Sequence, residues 1–325
     1  MTYTSHYSVL KKECLDNLCE PVDTVPGTHY FADLTFGGGG HSFEFLYRNE
    51  NFKVISTDQD PDALKNGFKR IEAENMEGRI NLLDTNFVHF PSLVREKFPK
   101  LFEAGNGLQG ILLDLGVSSH HFDEGSRGFS FRFDGPLDMR MDYESNEFRT
   151  AEEIVNTYRE DQLAKIFWEY GEEKYSRKIA AKIVEQRKVT PIKTTKDLEN
   201  IIFHCYPKEH RHGKTNPSTR VFQALRLEVN QELEVLTEVI GQLIPLLKVG
   251  GRLAIISFHS LEDRIVKNIF RDYSQSEEMP VELITKKPII PTDEEILNNS
   301  RSRSAKLRVI ERISAKKEKN KYKQK

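Results

Sequence analysis

Short apolar runs bounded by turn residues fall at residues 30–34, 53–57, 79–83, 110–115 and 252–257, and most of the stretches between them carry helical apolar spacing. Strands alternating with helices predict an α/β fold with a doubly wound parallel sheet. Residues 116–251 separate the fourth run from the fifth, far more chain than one crossover helix needs, so an insertion is expected there. Phe222, Leu225, Val229, Leu233, Leu236, Ile240, Leu243 and Leu247 recur at three- and four-residue steps and predict one long amphipathic crossover helix, which ends the insertion near Pro217. Helical patterns at 151–167, 175–187 and 195–203, with breaks at Gly171 and Pro191 and a close at Asn216-Pro217, make the insertion a small all-helical module. The expected division is 1–140 with 218–325 for the sheet domain, and 141–217 for the inserted domain.

The predicted strand ends carry the chemistry. The first runs into Asp33-Leu-Thr-Phe-Gly37-Gly38-Gly39-Gly40-His41, where glycines let backbone approach a ligand closely. A nicotinamide fingerprint wants a third glycine three residues after Gly39, and Ser42 stands there. The D-x-x-x-G-x-G order resembles an adenosylmethionine-binding loop instead. Asp58 ends the second strand, where a carboxylate can accept both ribose hydroxyls, whereas Asp60, just before Pro61, reads as a helix cap. Asp84-Thr-Asn-Phe87 follows the third strand and offers Phe87 as a ring for adenine to stack on. Asp114 closes the fourth, placing a carboxylate over the methyl-donor pocket. The fifth is entered through Leu247-Lys-Val-Gly250-Gly251, a turn that looks like the fifth-strand entry of such methyltransferases.

Composition excludes little. Lys and Arg total 48 against 50 Asp and Glu, so a global basic field does not draw the chain to nucleic acid, and any such attraction must come from charge distribution. Residues 138–173 are rich in acids, while 174–188 and the tail from Arg301 are dominated by bases; the Lys-rich end from Lys316 also fits a solubilising tail. No apolar stretch approaches the roughly 18 residues of a membrane span and no signal peptide is evident, so the expected compartment is the cytoplasm, without a membrane partner. Cys14, Cys19 and Cys205 form no C-x-x-C pair and are expected as reduced thiols. His204, Cys205, His210 and His212 lack metal-ligand spacing, and no metal is expected.

Five blocks then carry a specific likeness: Phe36-Gly-Gly-Gly-Gly-His-Ser42, Gly110-Ile-Leu-Leu-Asp-Leu-Gly-Val-Ser-Ser119, Arg127-Gly-Phe-Ser-Phe131, Asp134-Gly-Pro-Leu-Asp-Met-Arg-Met-Asp142 and Ile256-Ser-Phe-His-Ser-Leu-Glu-Asp-Arg264. From about His6 to about Arg312 the chain resembles the RsmH (MraW) family of bacterial 16S rRNA cytosine-N4 methyltransferases. The resemblance implies a Rossmann-like class I methyltransferase sheet with a small all-helical substrate-recognition domain between strands 4 and 5. It implies S-adenosyl-L-methionine as cofactor, held by Gly39, Gly40, His41, Asp58, Phe87, Asp114 and His121. It also implies a decoding-centre cytosine of 16S rRNA, within the small ribosomal subunit, as target. Two positions depart from the family: His121 stands where Gln is usual, and Gly38 where Arg is usual. A homodimer is compatible with the sequence.

The acceptor amine of cytosine is deactivated by delocalisation into the ring, so acceptors holding its N–H groups should help it become tetrahedral. Residues 134–142 and Phe258-His259-Ser260 are the expected base pocket, with Asp138 and His259 as catalytic candidates; an ion-paired brace is the other reading of Asp138, Arg140 and Asp142. Phe129, Phe131 and Phe133 alternate as stacking rings do, and equally as the buried face of a hairpin does. Residues 174–188, with Arg301, Arg303, Lys306 and Arg308, form the expected phosphate-contacting surface. A DNA amino-methyltransferase and a nonenzymatic ribosome assembly factor are the competing functions.

Overall fold

In a computed structural model of the 325-residue chain, residues 8–117, 122, 124–144, 148–213 and 216–315 are described. They fall into two compact units, a helical one within Val117–Leu233 and a sheet-bearing one built from Ser5–Gly116 and Glu234–Lys325.

The sheet unit carries β1 (His29–Asp33), β2 (Phe52–Asp58), β3 (Ile80–Asp84), β4 (Leu108–Asp114), β5 (Leu247–Ser257), β6 (Val281–Leu283) and β7 (Lys306–Arg312). Their order is β3-β2-β1-β4-β5-β7-β6, with β1 to β5 parallel and β7 antiparallel to both β5 and β6. This is the expected doubly wound α/β sheet, and the insertion does lie between the fourth and fifth strands. The strands read as nearly continuous apolar runs because both faces are covered. Phe31, Phe43, Phe45, Phe52 and Val54 pack on one face, and Ile55, Ile111, Leu113, Ile240 and Phe270 on the other. The order reverses between β1 and β4, which makes the carboxyl ends of those two strands the sheet's switch point.

The helical unit packs Ala151–Thr157, Glu160–Glu169, Ser176–Arg187, Thr195–Cys205 and Ser218–Asn230 around Leu163, Phe167, Ile179, Ile183, Leu198 and Leu225. The helical pattern over 151–167 is divided at Tyr158, whose backbone is extended. Thr150 and Glu153 cap the first piece reciprocally, and the Arg159 N–H donates to Gln162 Oε1 to start the second.

Two expectations are corrected. The long crossover helix is broken at Gln231, which takes left-handed φ 49°, so Ser218–Asn230 belongs to the helical unit, while the second piece, Glu232–Leu243, lies in the sheet unit from Glu234 onward. Apolar spacing continued across the break because both halves bury a face, and periodicity is blind to one left-handed residue. The helical unit is also larger than 141–217. Phe129, Leu137 and Met139 join its core ahead of the helices, and Val221 to Val229 close it behind them. The short β6, three residues long, was not anticipated.

Candidate functional site

After β1 the chain turns through the glycine loop. The Phe36 N–H donates to the Thr57 carbonyl (3.0 Å), tying the loop to β2, and Gly37 and Gly39 take φ of 49° and 74°. Gly39 is required twice over, since a Cβ there would lie 2.6 Å from the Phe36 ring and 3.1 Å from Phe43 in a left-handed backbone that L side chains resist. The helix Gly40–Arg48 starts directly from this turn and brings His41 and Ser42 inward. Ser42 Oγ donates to Asp33 Oδ2 (2.6 Å), so buried Asp33 anchors the loop from within. Arg70 lies over the Phe43 ring and donates to the Gly38 carbonyl (3.1 Å), so a guanidinium reaches the loop from another helix.

Asp58 sits at the tip of β2. Its Oδ2 accepts from the Gly37 N–H (2.7 Å) and its Oδ1 from the Asp60 N–H (2.9 Å). Burial pushes its carboxyl up to about 7, against the lowering effect of those bonds. Asp60 caps the next helix by accepting from the Asp62 N–H, as expected. β2 and β3 align Asp58 with Asp84, and the Thr85 N–H donates to the Asp58 carbonyl, which carries the following residues past the carboxylate. Asn86 caps the short turn Phe87–His89 and donates to Gln59, and half-buried Phe87 rests on the apolar face of the sheet.

Asp114 ends β4, with its N–H held by Thr35 Oγ1 at 2.8 Å, and the next turn passes through Gly116 at φ 99°. His41 Nε2 lies 3.6 Å from Asp114 Oδ2. Burial alone would lower the His41 pKa, but Asp114 and Asp33 outweigh it and the net direction is upward. Both ring nitrogens of His41 and Oδ1 of Asp114 are buried without a hydrogen-bond partner among the described residues. Native interiors rarely leave such atoms unsatisfied, and here three of them cluster at the sheet's switch point. The chemistry of the edge is acidic: Asp33, Asp58 and Asp114 surround the loop, which suits a cationic ligand bearing a diol and disfavours a diphosphate.

Two contributors escaped sequence reasoning. Leu10 donates its N–H to Glu295 Oε1 (2.7 Å), and Glu295 feels the charges of His41 and Asp114, so the start and the end of the chain both flank this edge. Thr35, which positions Asp114, was also passed over. Its place two residues after a strand-end aspartate was the available signal.

The other expected residues are accounted for as follows. Gly40 opens the helix that carries His41. His121 lies outside the described residues. Asp138 accepts from the Arg140 backbone N–H (3.0 Å) and guanidinium (2.8 and 2.9 Å), which is the brace reading. Around it, buried Met139 holds φ 64° because Asn230 donates to its carbonyl and accepts from the Met141 N–H. His259 caps the helix Ser260–Gln275, and its Nε2 lies 2.9 Å from buried Glu262. Phe129 is buried, Phe131 meets Phe222 edge-on, and Phe133 is exposed. Lys174, Arg177, Lys178, Lys182 and Lys188 are exposed. Arg308 is buried, however, and both it and Lys306 engage Asp263 (2.7 and 3.4 Å), so these two are corrected from phosphate contacts to structural pairs; Arg303 remains exposed. All three cysteines are buried free thiols, and His204 contacts the Asn200 carbonyl. Among the described residues no helix is long and apolar enough to cross a membrane.

The MraW methylase family matches residues 3–313. Ribosomal RNA small subunit methyltransferase H of Fusobacterium nucleatum is 45% identical, covering 95% of this chain and 97% of that protein. The enzyme of the same name from Sulfurihydrogenibium is 47% identical over 95% of this chain and 99% of its own length. That of Clostridioides difficile is 42% identical over 95% and 99%. With the family match running from residue 3 to residue 313 and these relatives aligned over 95% of it, this chain belongs to the MraW methylase family.

Proposed function

We propose that the protein transfers a methyl group from S-adenosylmethionine to the N4 amine of a cytosine in 16S rRNA, presented by the small ribosomal subunit. The observation that carries the cofactor reading is the set of unsatisfied buried atoms of His41 and Asp114 beside a glycine loop that admits no side chain at Gly39. The relatives' shared name carries the RNA reading.

The cofactor supplies an electrophilic methyl group on a sulfonium. Asp58 would accept the ribose hydroxyls and Phe87 would provide the ring for adenine. Asp114 would receive the ammonium group, and His41 beside it would donate to the carboxylate. The loop from Gly37 to Gly40 lets the backbone close around the amino-acid portion. In-line methyl transfer gains chiefly from placement, so these residues act by fixing the donor and excluding water. Asp138 and His259 are positioning residues in this scheme: one holds a loop through Arg140, the other starts a helix at the end of β5.

The test is transfer of a labelled methyl group to small subunits from cells lacking the protein, followed by nucleoside analysis. N4-methylcytidine in 16S rRNA is the expected product. Label on DNA alone would move the reading to a DNA amino-methyltransferase, and cofactor binding without any turnover would move it to an assembly factor.

A further inference from the structure

A cavity of about 510 Å³ opens at the amino edge of the sheet, where β1, β4 and β5 begin, opposite the edge that carries Asp58 and Asp114. Its volume is that of a small-ligand site. A bulge shapes it: β4 advances two residues, from Leu108 to Gly110, while β5 advances five, from Leu247 to Arg252. Gly107 and Gly251 let the two backbones meet, since a Cβ on either would come within 2.6–2.7 Å of a carbonyl oxygen across the pair. Tyr30, Phe98 and Leu101 give the cavity apolar walls, and buried Gln109 backs it. Lys97, Lys100 and Lys248 line it, and among the described residues no carboxylate does.

Lys248 differs from the other two lysines. Lys97 and Lys100 are exposed, whereas Lys248 is half-buried and has an imidazole as its polar neighbour. His29 is 6% exposed, with its ring edge-on to Phe52. The Val25 carbonyl can only accept, so its 3.0 Å contact with His29 Nε2 places the ring proton on that nitrogen. Nδ1 keeps a lone pair, 3.5 Å from Lys248 Nζ. Burial lowers the Lys248 pKa, and no carboxylate acts to raise it. An amine beside a fixed imidazole acceptor, with no anion to keep it protonated, is the arrangement of an activated nucleophile.

The exposed lysines select the electrophile. A phosphate group can lie against Lys97 and Lys100 while an acyl group rests on Tyr30 and Phe98. We propose that Lys248 is an acyl acceptor, taking its acyl group from an acyl phosphate bound in this cavity, with His29 Nδ1 receiving the proton of the amine. The nitrogen lone pair forms a C–N bond to the carbonyl carbon, the C–O bond to phosphate breaks, and inorganic phosphate leaves with the bonding pair. The proton shed by nitrogen passes to His29 and on to solvent. The product is an amide, so the reaction removes the charge of Lys248 from the cavity and leaves those of Lys97 and Lys100.

The full-length protein is incubated with acetyl phosphate at neutral pH, and acetylation of each lysine is followed by peptide mass spectrometry. Lys248 should react about tenfold or more faster than exposed Lys69 and Lys174, and its rate should saturate with acetyl phosphate while theirs stays linear. His29→Phe should lower the limiting rate at Lys248 about tenfold or more, with the half-saturating concentration unchanged. Lys97→Met combined with Lys100→Met alters exposed side chains only, and should raise the half-saturating concentration while sparing the limiting rate. Unchanged affinity for S-adenosylhomocysteine shows that each variant is folded. A Lys248 rate equal to that of Lys69, a linear dependence on acetyl phosphate, or indifference to both sets of substitutions overturns the proposal. None of these results touches the methyl-transfer reading, which rests on the other edge.

Discussion

The two edges of the sheet are electrically opposite. At the carboxyl edge Asp33, Asp58 and Asp114 gather around the glycine loop; at the amino edge Lys97, Lys100 and Lys248 rim a cavity without a carboxylate. Both edges also hold buried polar atoms without partners among the described residues, on His41 and Asp114 on one side and on Gln109 on the other. One scaffold thus presents an acidic site suited to a sulfonium and an ammonium group, and a basic site suited to phosphate. The difference teaches that the fold sets where ligands can sit, and side chains at strand ends set which charge they bear.

The largest effect should come from the backbone at the acidic edge. Gly39→Val must force a left-handed φ and push a side chain into Phe36, strain of about 2–3 kcal/mol, so cofactor affinity should fall on the order of 100-fold. Calorimetric titration with S-adenosylhomocysteine reads this directly. Affinity within threefold of the parent protein would mean that the loop does not enclose the cofactor. Asp114→Asn should cost somewhat less, about 10- to 50-fold, because a charged hydrogen bond is replaced by a neutral one in the same volume.

The acidic edge should also respond to pH. Asp58 has its carboxyl raised to about 7 by burial, so below that pH it is protonated in the cofactor-free protein. A carboxylate that accepts two hydroxyls must lose this proton on binding. Cofactor affinity should therefore fall by up to tenfold per pH unit below about 7 and level off above it. The sign for folding is the reverse: the folded state holds this proton more tightly than the unfolded chain, so Asp58 lowers stability as pH rises from about 4 to 7. Asp58→Asn should bind weakly with a flatter affinity profile, and an unchanged slope in that variant would assign the titration to another group.

How much of this was legible depended on whether a residue's role is local. Strand ends are local, and Asp33, Asp58 and Asp114 were readable because each closes an apolar run. Asp60 was readable as a cap from the proline after it. The break at Gln231 was not, because left-handed φ in a non-glycine residue leaves no mark on the apolar repeat. Lys306 and Arg308 misled because their partner Asp263 is more than forty residues away in sequence, and charge runs do not reveal such pairs. Gln109 was silent for the same reason: its place beside a bulge depends on a register shift that five residues of β5 create. The brace around Met139 likewise needs Asn230, remote in the chain.

In the helical unit, Lys174→Glu, Lys178→Glu and Lys182→Glu together should weaken RNA binding by about tenfold at physiological salt and reduce its salt dependence, with cofactor affinity unchanged. Filter binding at two salt concentrations measures both. Equal loss at both would argue for a folding defect rather than lost phosphate contacts.

The smallest effect is the sharpest test of whether the two edges are independent. Gln109 and Asp114 lie on the same strand, five residues apart, a separation of about 17 Å along an extended chain. Substitutions that far apart with no shared partner normally combine to within about 0.5 kcal/mol. Gln109→Leu should therefore change S-adenosylhomocysteine affinity by no more than about twofold, even while it disrupts the basic cavity. A tenfold change would mean that β4 transmits strain from one edge to the other through its bulge, and the contrast between an acidic and a basic site would then describe one coupled device instead of two separate ones.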